Sequence, residues 1–456
     1  MKKRVVSVLL TVAMGMSALA GCGNGGQQDG AASAGTEQNK ESAAVKETSE
    51  ETAGTDKTAS EGEVLEFYHG YYHAESEWPA AKVMRDIYDE FAAEHADGPV
   101  SFKPIAVENR DEIVSAQVAG GNFPDMVDCG APVPQAAISQ GLVLDLKPFI
   151  DENQLQDAVG LNYTQNDVDG HIYTVHDQVE SRGIWYNSDL LNKAGVTEKD
   201  LQDWDSFGKA MEKVRQSDSG AYGYAAGQGS LFIVVSAMAA TEEGREMMES
   251  ELTPEIIDSE CFAEAFKLAA ALDQENGSEH TTEDVGNLMD DFNKNGMAAV
   301  LFNGVWNASG IDESLADVIE PAVFPGNIAV ASAGAGLTVS SGMSQEKTDL
   351  ALEFIRYMTS SEVQEKIFTG VQANPCNQTV DLNKLAEESG NPITLKLAKA
   401  CSLVNESDII VKGLYDSWGA DVAGAMINAL MECAVSGTDI DARFEQLQKE
   451  LIALIG

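Results

Sequence analysis

The densest collection of ligand-binding side chains in this sequence is His69-Gly70-Tyr71-Tyr72-His73-Ala74-Glu75-Ser76-Glu77-Trp78, which packs two tyrosines, two glutamates and a tryptophan into one loop. Aromatic rings offer plates to flat C–H faces, and carboxylates accept hydrogen bonds from hydroxyls, so the set suits a sugar. The loop follows Val64-Leu65-Glu66-Phe67-Tyr68, which reads as a strand. It therefore sits at a carboxyl strand end, the edge where open α/β sheets bind ligands. Asp128 follows the short strand Asp125-Met126-Val127 and reaches the same edge. Catalytic patterns are missing from the sequence. Glu75 and Glu77 are neighbours on a loop, which does not set the carboxyl separation that glycoside hydrolysis needs. The six histidines form no HExxH, and Ser341 lies in no GxSxG elbow. No metal site and no cofactor are expected: no CxxC is present to suggest zinc, and no phosphate-binding G-x-x-x-x-G-K-S/T loop.

Strands and helices in alternation must position these groups. Pro79 stands where a helix can start, and Ala80, Val83, Met84, Ile87 and Phe91 recur at helical spacing behind it. Val100 to Ile105 reads as a second strand, and Asp111 to Ala119 as a second helix ended by Gly120-Gly121-Asn122-Phe123-Pro124. Strand, helix, strand, helix, strand is the pattern of a layered α/β lobe with a largely parallel sheet. Further strands are expected at Ile172-Tyr173-Thr174-Val175, at Ile184-Trp185-Tyr186 and over the apolar run Met297 to Phe302. Helices are expected after Trp204-Asp205-Ser206-Phe207, around Ala351, Phe354, Ile355 and Met358, and over Val422, Ala423, Met426, Ile427, Leu430 and Met431. From Glu63 to Gly456 there are about 394 residues, too many for one core, so two lobes are expected.

The N-terminus has a different character. Lys2, Lys3 and Arg4 precede an apolar stretch from Val5 to Ala20, too short for an ordinary span and suited to an export signal. It ends Leu19-Ala20-Gly21-Cys22, which resembles the bacterial lipobox, in which the signal (here 1–21) is cut before a cysteine that then carries lipid. Residues 22–62 hold almost nothing that can form a core and read as a disordered tether. A body leashed to the extracytoplasmic face of the cell membrane is expected. The formal charge is −45, which repels nucleic acid and excludes it as a partner. The remaining cysteines, Cys129, Cys261, Cys376, Cys401 and Cys433, are far apart and read as small buried thiols.

Several stretches taken in order resemble the extracellular solute-binding proteins that include maltose-binding protein. They are Gly121-Asn122-Phe123-Pro124-Asp125-Met126, Gly141-Leu142-Val143-Leu144-Asp145-Leu146-Lys147-Pro148 and Asp169-Gly170-His171-Ile172-Tyr173. Trp185-Tyr186-Asn187-Ser188-Asp189-Leu190-Leu191, Lys193-Ala194-Gly195 and Trp204-Asp205-Ser206-Phe207 follow. Gly296-Met297-Ala298-Ala299, Asn303-Gly304-Val305-Trp306 and Leu352-Glu353-Phe354-Ile355 complete the series. The resemblance implies an α/β, two-lobe periplasmic-binding-protein-like fold with a hinge and an interlobe ligand cleft. By position, lobe one would be 64–178 plus 335–372, and lobe two 181–325 plus 376–456.

The same resemblance implies site residues. Trp306 stands where the family places its ligand-stacking tryptophan after an Asn-Gly turn. Trp418 matches a second aromatic at the start of a C-terminal helix. Glu180 occupies the place of a carboxylate that accepts from sugar hydroxyls, and Gln228 lies in another ligand loop. Tyr71, Tyr72, Glu75 and Asp128, drawn from their place at the carboxyl strand ends and not from the resemblance, complete the expected set. The implied function is binding of a mono- or oligosaccharide by a monomer and its delivery to the permease of an ATP-driven (ABC) importer. Two alternatives stand beside it. An acidic, aromatic cleft also suits an amine cation such as a polyamine, and a surface lipoprotein need not transport at all.

Overall fold

The computed structural model describes residues 62–278, 280–282 and 285–456. The expected export signal, Cys22 and nearly all of the expected tether lie outside them. Among the described residues, two sheets each carry their own core.

The first sheet runs Leu337–Val339, Met126–Asp128, Glu63–His69, Val100–Ala106 in spatial order. Glu63–His69 is parallel to both neighbours, and Leu337–Val339 pairs antiparallel with Met126–Asp128. The helix Pro79–Glu94 starts on its proline and buries Ala81, Met84, Ile87, Tyr88 and Phe91, a 3.6-residue stripe that covers the sheet. The helix Gln345–Met358 adds Leu350, Ala351, Phe354, Ile355 and Met358, its N-terminus capped by the Ser344 hydroxyl, which accepts from the Lys347 amide. Phe67, Tyr88, Phe91, Phe102 and Phe354 meet in one aromatic cluster, with Phe67 and Tyr88 edge to face at 5.1 Å.

The second sheet runs Ile409–Val411, Ile328–Ser332, Gln178–Asn187, Ala298–Gly304, Tyr222–Ala225. The strand at its centre also pairs with Ile319–Ala322 and Asn374–Pro375. Helices lie on both sides, so Ala298 to Phe302 is buried throughout and reads as a continuous apolar run. The expected strand at Ile172–Val175 is shorter in the structure. Only His171–Ile172 pairs, as a hairpin with Asp167–Val168, while Val175 makes an isolated bridge to Leu337. Asp169 and Gly170 form its turn with φ of 53° and 85°, left-handed values that favour this dipeptide.

The chain passes between the two cores three times. It leaves the first at Asp177, returns after Ser332, and leaves again before Asn374. The three passages lie side by side: Ser332 is opposite Glu180, and Asn374 is opposite Val179. Side-chain amides tie them together. Gln165 accepts from the Ala333 amide at 2.8 Å and donates to the Ala331 carbonyl at 3.0 Å, and Asn374 donates to the Ser181 hydroxyl at 2.8 Å. The Lys412 ammonium donates to the Gln165 carbonyl at 2.6 Å. Cys129, Cys376, Cys401 and Cys433 are buried free thiols, and Cys261 is a free thiol only partly buried.

Candidate ligand cleft

The strand Gln178–Asn187 alternates as an extended chain must. Val179 and Ser181 are buried, while Gln178, Glu180 and Arg182 share the opposite, more open face. That face faces the carboxyl edge of the first sheet at one end and the second lobe at the other.

At the first end, Gln178 Nε2 donates to the Tyr71 hydroxyl at 3.2 Å. The Tyr71 ring packs against Trp78, and the Arg85 guanidinium pins the loop by donating to the carbonyls of Tyr71 and His73, each at 2.7 Å. Burial, then Asp177 and Asp128, hold the Tyr71 phenol well above its usual range, so it stays neutral. Burial also lifts the Asp128 carboxyl to about 6, against the pull of Arg110. Arg110 donates from Nε to the Asp128 carbonyl at 2.5 Å. Its guanidinium fills space left by two glycines: a Cβ at Gly70 would lie 1.9 Å from Nη1, and one at Gly130 2.5 Å from Nη2. His69 beneath is buried and lowered to about 4 by burial, Arg85 and Arg110, and is neutral near pH 7. Burial works against a charge on His176, yet Asp177, Asp128 and Glu180 raise its pKa.

At the second end, Arg182 Nη2 donates to Glu180 Oε2 at 2.6 Å. Against the pull of burial, Arg182 and His176 hold the Glu180 carboxyl below its usual range, so it is an anion ready to accept. The Arg182 guanidinium lies 5.4 Å from the Trp306 ring centroid and 5.1 Å from that of Phe232. Trp306 is half-buried, on the turn Val305–Gly310 that leaves the strand Ala298–Gly304. Burial raises the Asp416 carboxyl; Ser332, Arg182 and Lys412 pull it down, and Glu180 pushes it further up.

The structure thus brings Tyr71, Asp128, Glu180 and Trp306 to the faces that meet at the crossings. Tyr72 and Glu75 are exposed on the same loop, with Tyr72 stacked on His73 at 4.2 Å. Gln228 is exposed in the turn before the helix Ser230–Ala239. Trp418 is elsewhere: it is 9% exposed in the second core, edge-on to Phe262, with Nε1 donating to the Ser250 carbonyl at 3.2 Å. The reason is helical spacing. Leu414 and Trp418 are four apart and both turn inward, which leaves Tyr415, 39% exposed, on the outer side near Arg182. Sequence reasoning missed Gln178, Arg182, Tyr415 and Asp416. The i, i+4 pair would have indicated Tyr415, and the two-residue alternation through Glu180 would have indicated Gln178 and Arg182. Among the described residues, no group of three His, Cys, Asp or Glu is placed to hold a metal ion, and no helix is long and apolar enough to cross a membrane.

Two α/β lobes, three passages between them and convergent polar and aromatic groups at those passages define a two-lobed solute receptor. Residues 86–392 match the bacterial extracellular solute-binding protein family, and the chain belongs to it. Its members bind solutes and do not transform them. The fold is similar to that of a Streptococcus pneumoniae solute-binding protein in complex with the blood group A-trisaccharide, with 44% identity, a TM-score of 0.75, and coverage of 86% of this chain and 100% of that one. A probable secreted solute-binding lipoprotein from Streptomyces coelicolor shares the fold at 15% identity and a TM-score of 0.70, over 86% of this chain and 98% of that one. A segment of 118 residues is 30% identical to the arabinooligosaccharide-binding protein of Bacillus subtilis (strain 168), covering 23% of this chain and 25% of that protein. The match therefore spans about a quarter of that relative's length.

Proposed function

We propose that this protein binds an oligosaccharide between its lobes and hands it to the permease of an ABC importer, working as a monomer tethered through a lipid on Cys22. The observation that carries this reading is the 44% identity, over 86% of this chain, to a protein that holds the blood group A-trisaccharide. The local chemistry agrees with it. Trp306 offers a plate, Glu180 and Asp128 offer acceptors, and Arg110 offers donors, the mixture that a ring of hydroxyls requires. Arg182 pairs with Glu180 and Arg110 lies beside Asp128, so a guanidinium accompanies the carboxylate at each end of the cleft, which suits a neutral ligand better than a cation.

Titration calorimetry of the purified protein with the blood group A-trisaccharide, unrelated oligosaccharides and spermidine tests the assignment. Saturable binding of one or more oligosaccharides, little changed by salt, is expected. Binding of spermidine alone, weakening steeply with salt, would replace the sugar reading with the amine one.

A further inference from the structure

Arg182 and Gly304 are direct partners across two antiparallel strands. Gly304 carries no side chain, and the indole of Trp306, two residues on, folds back into the space. A Cβ built on Gly304 would lie 2.3 to 2.4 Å from Cη2, Cζ3 and Cε3 of that ring. The ring therefore lies on the backbone of its own strand. The neighbouring strand flanks the ring, for the Arg182 guanidinium lies 5.4 Å from its centroid. Arg182 is itself fixed: its side chain is 14% exposed, Glu180 holds Nη2, and Phe232 flanks the guanidinium.

We propose that Gly304 and Arg182 are positioning residues that seat the Trp306 plate, and that Arg182 commits the plate to an uncharged ring. This rests on the reading of Trp306 as the ligand-stacking residue. An indole on a short turn has free torsions at χ1 and χ2, and one backbone wall plus one planar cation remove that freedom before ligand arrives. Pre-ordering of this kind cuts the entropy lost on binding. A guanidinium presents a broad, weakly hydrated plane to an indole and an ammonium a compact, strongly hydrated point charge, so Arg182 is not interchangeable with lysine. The charge has a second effect. A cation already occupies the vicinity of the ring, so an ammonium ligand stacking there meets a like charge, while a neutral sugar does not.

Two readouts on the intact protein test the seat. The first needs no ligand: acrylamide quenching of Trp306 emission, obtained by subtracting the matching Trp306→Phe protein. Gly304→Ala and Arg182→Met should each change that quenching by about twofold or more, as the plate leaves its walls. Unchanged quenching in both overturns the seat, whether or not any sugar binds. The second is a double-mutant cycle with the blood group A-trisaccharide as probe. Gly304→Ala and Arg182→Met should each weaken binding roughly tenfold with Trp306 present and less than about twofold in the Trp306→Ala background. Equal losses in both backgrounds overturn the seat. Arg182→Lys keeps the charge and guards against misfolding of the others; it should restore less than half of the lost affinity, and full restoration overturns the requirement for a planar group. Spermidine should bind Arg182→Met more tightly than wild type; tighter binding to wild type overturns the charge argument. A wild-type protein that ignores the trisaccharide yet shows the quenching changes keeps the seat and moves the failure to the choice of sugar.

Discussion

Gln178 and Arg182 stand on one face of a single strand with Glu180 between them, and they reach opposite lobes. Gln178 donates to Tyr71 on the first lobe, and Arg182 lies beside Trp306 on the second. Any bending at this strand changes the separation of Tyr71 and Trp306 directly. The proposed ligand groups Tyr71 and Trp306 are thus both tied to this one crossing strand.

Trp306 and Trp418 should behave as opposites. Removing a half-buried plate costs ligand stacking, so Trp306→Ala is expected to lose roughly 1–3 kcal/mol of affinity while the melting point moves little. Trp418 is enclosed by the second core, so Trp418→Ala should cost roughly 3–5 kcal/mol of stability. Trp418→Phe, which stays folded, should keep the affinity. Calorimetry paired with thermal melts separates the two, and a collapsed melting point in Trp306→Ala with affinity retained would exchange their roles.

Asp273 gives a pH signature to the second lobe. It is 4% exposed, accepts from the Tyr224 hydroxyl at 2.7 Å and the Ser230 hydroxyl at 2.8 Å, and burial lifts its carboxyl to about 7. The fold therefore holds this proton more tightly than the unfolded chain does. Its contribution is complete below the ordinary carboxylate value of 3.8 and is lost as pH rises through about 7. Asp273→Asn keeps an acceptor for both hydroxyls and cannot ionise. Relative to wild type it should gain about 2–4 kcal/mol between pH 4 and pH 8, read as the change in the denaturation difference. A difference that stays constant with pH would show that Asp273 does not titrate in this window.

The sequence was most readable where periodicity and burial agree. The helix Gln345–Met358 turns Phe354, Ile355 and Met358 inward as their spacing predicts, and the apolar run to Phe302 lies in a covered strand. It was least readable where a role depends on a distant partner. Arg182 looks like an ordinary strand cation until register sets Gly304 opposite it. Ile172 to Val175 has the composition of a strand, but after Ile172 its partner is a single bridge at Leu337, so the ladder does not continue. Trp418 carried the stronger aromatic signal than Tyr415, yet the turn of one short helix decides which of them is outside.

Membrane attachment has a separate test at the N-terminus. Cys22→Ala should release the protein from the membrane fraction or leave the precursor uncut, because the thiol is the proposed lipid site and acyl chains hold by roughly 0.8 kcal/mol per buried methylene. Ligand affinity should not change. Retention of the variant in membranes after a high-salt wash would mean that another segment anchors it.

Closure of the cleft joins the hinge to the ligand. Ligand shifts a two-state equilibrium only by its differential affinity, so a closing ligand must bind the closed form better than the open one. Glu180 stands at the crossings, 46% exposed on its side chain, bonded to Arg182 through one oxygen. Ligand touching Glu180 meets a residue of the crossing strand itself. Glu180→Gln keeps the size, removes the charge and weakens the hold on Arg182. Solution scattering should show wild type becoming more compact on saturation with oligosaccharide, and the variant should lose affinity and compaction together. If the variant binds and closes as wild type does, Glu180 is a surface carboxylate of the hinge. If wild type binds without any change in its scattering profile, the lobes do not move, and the crossing strand is a rigid floor to the site.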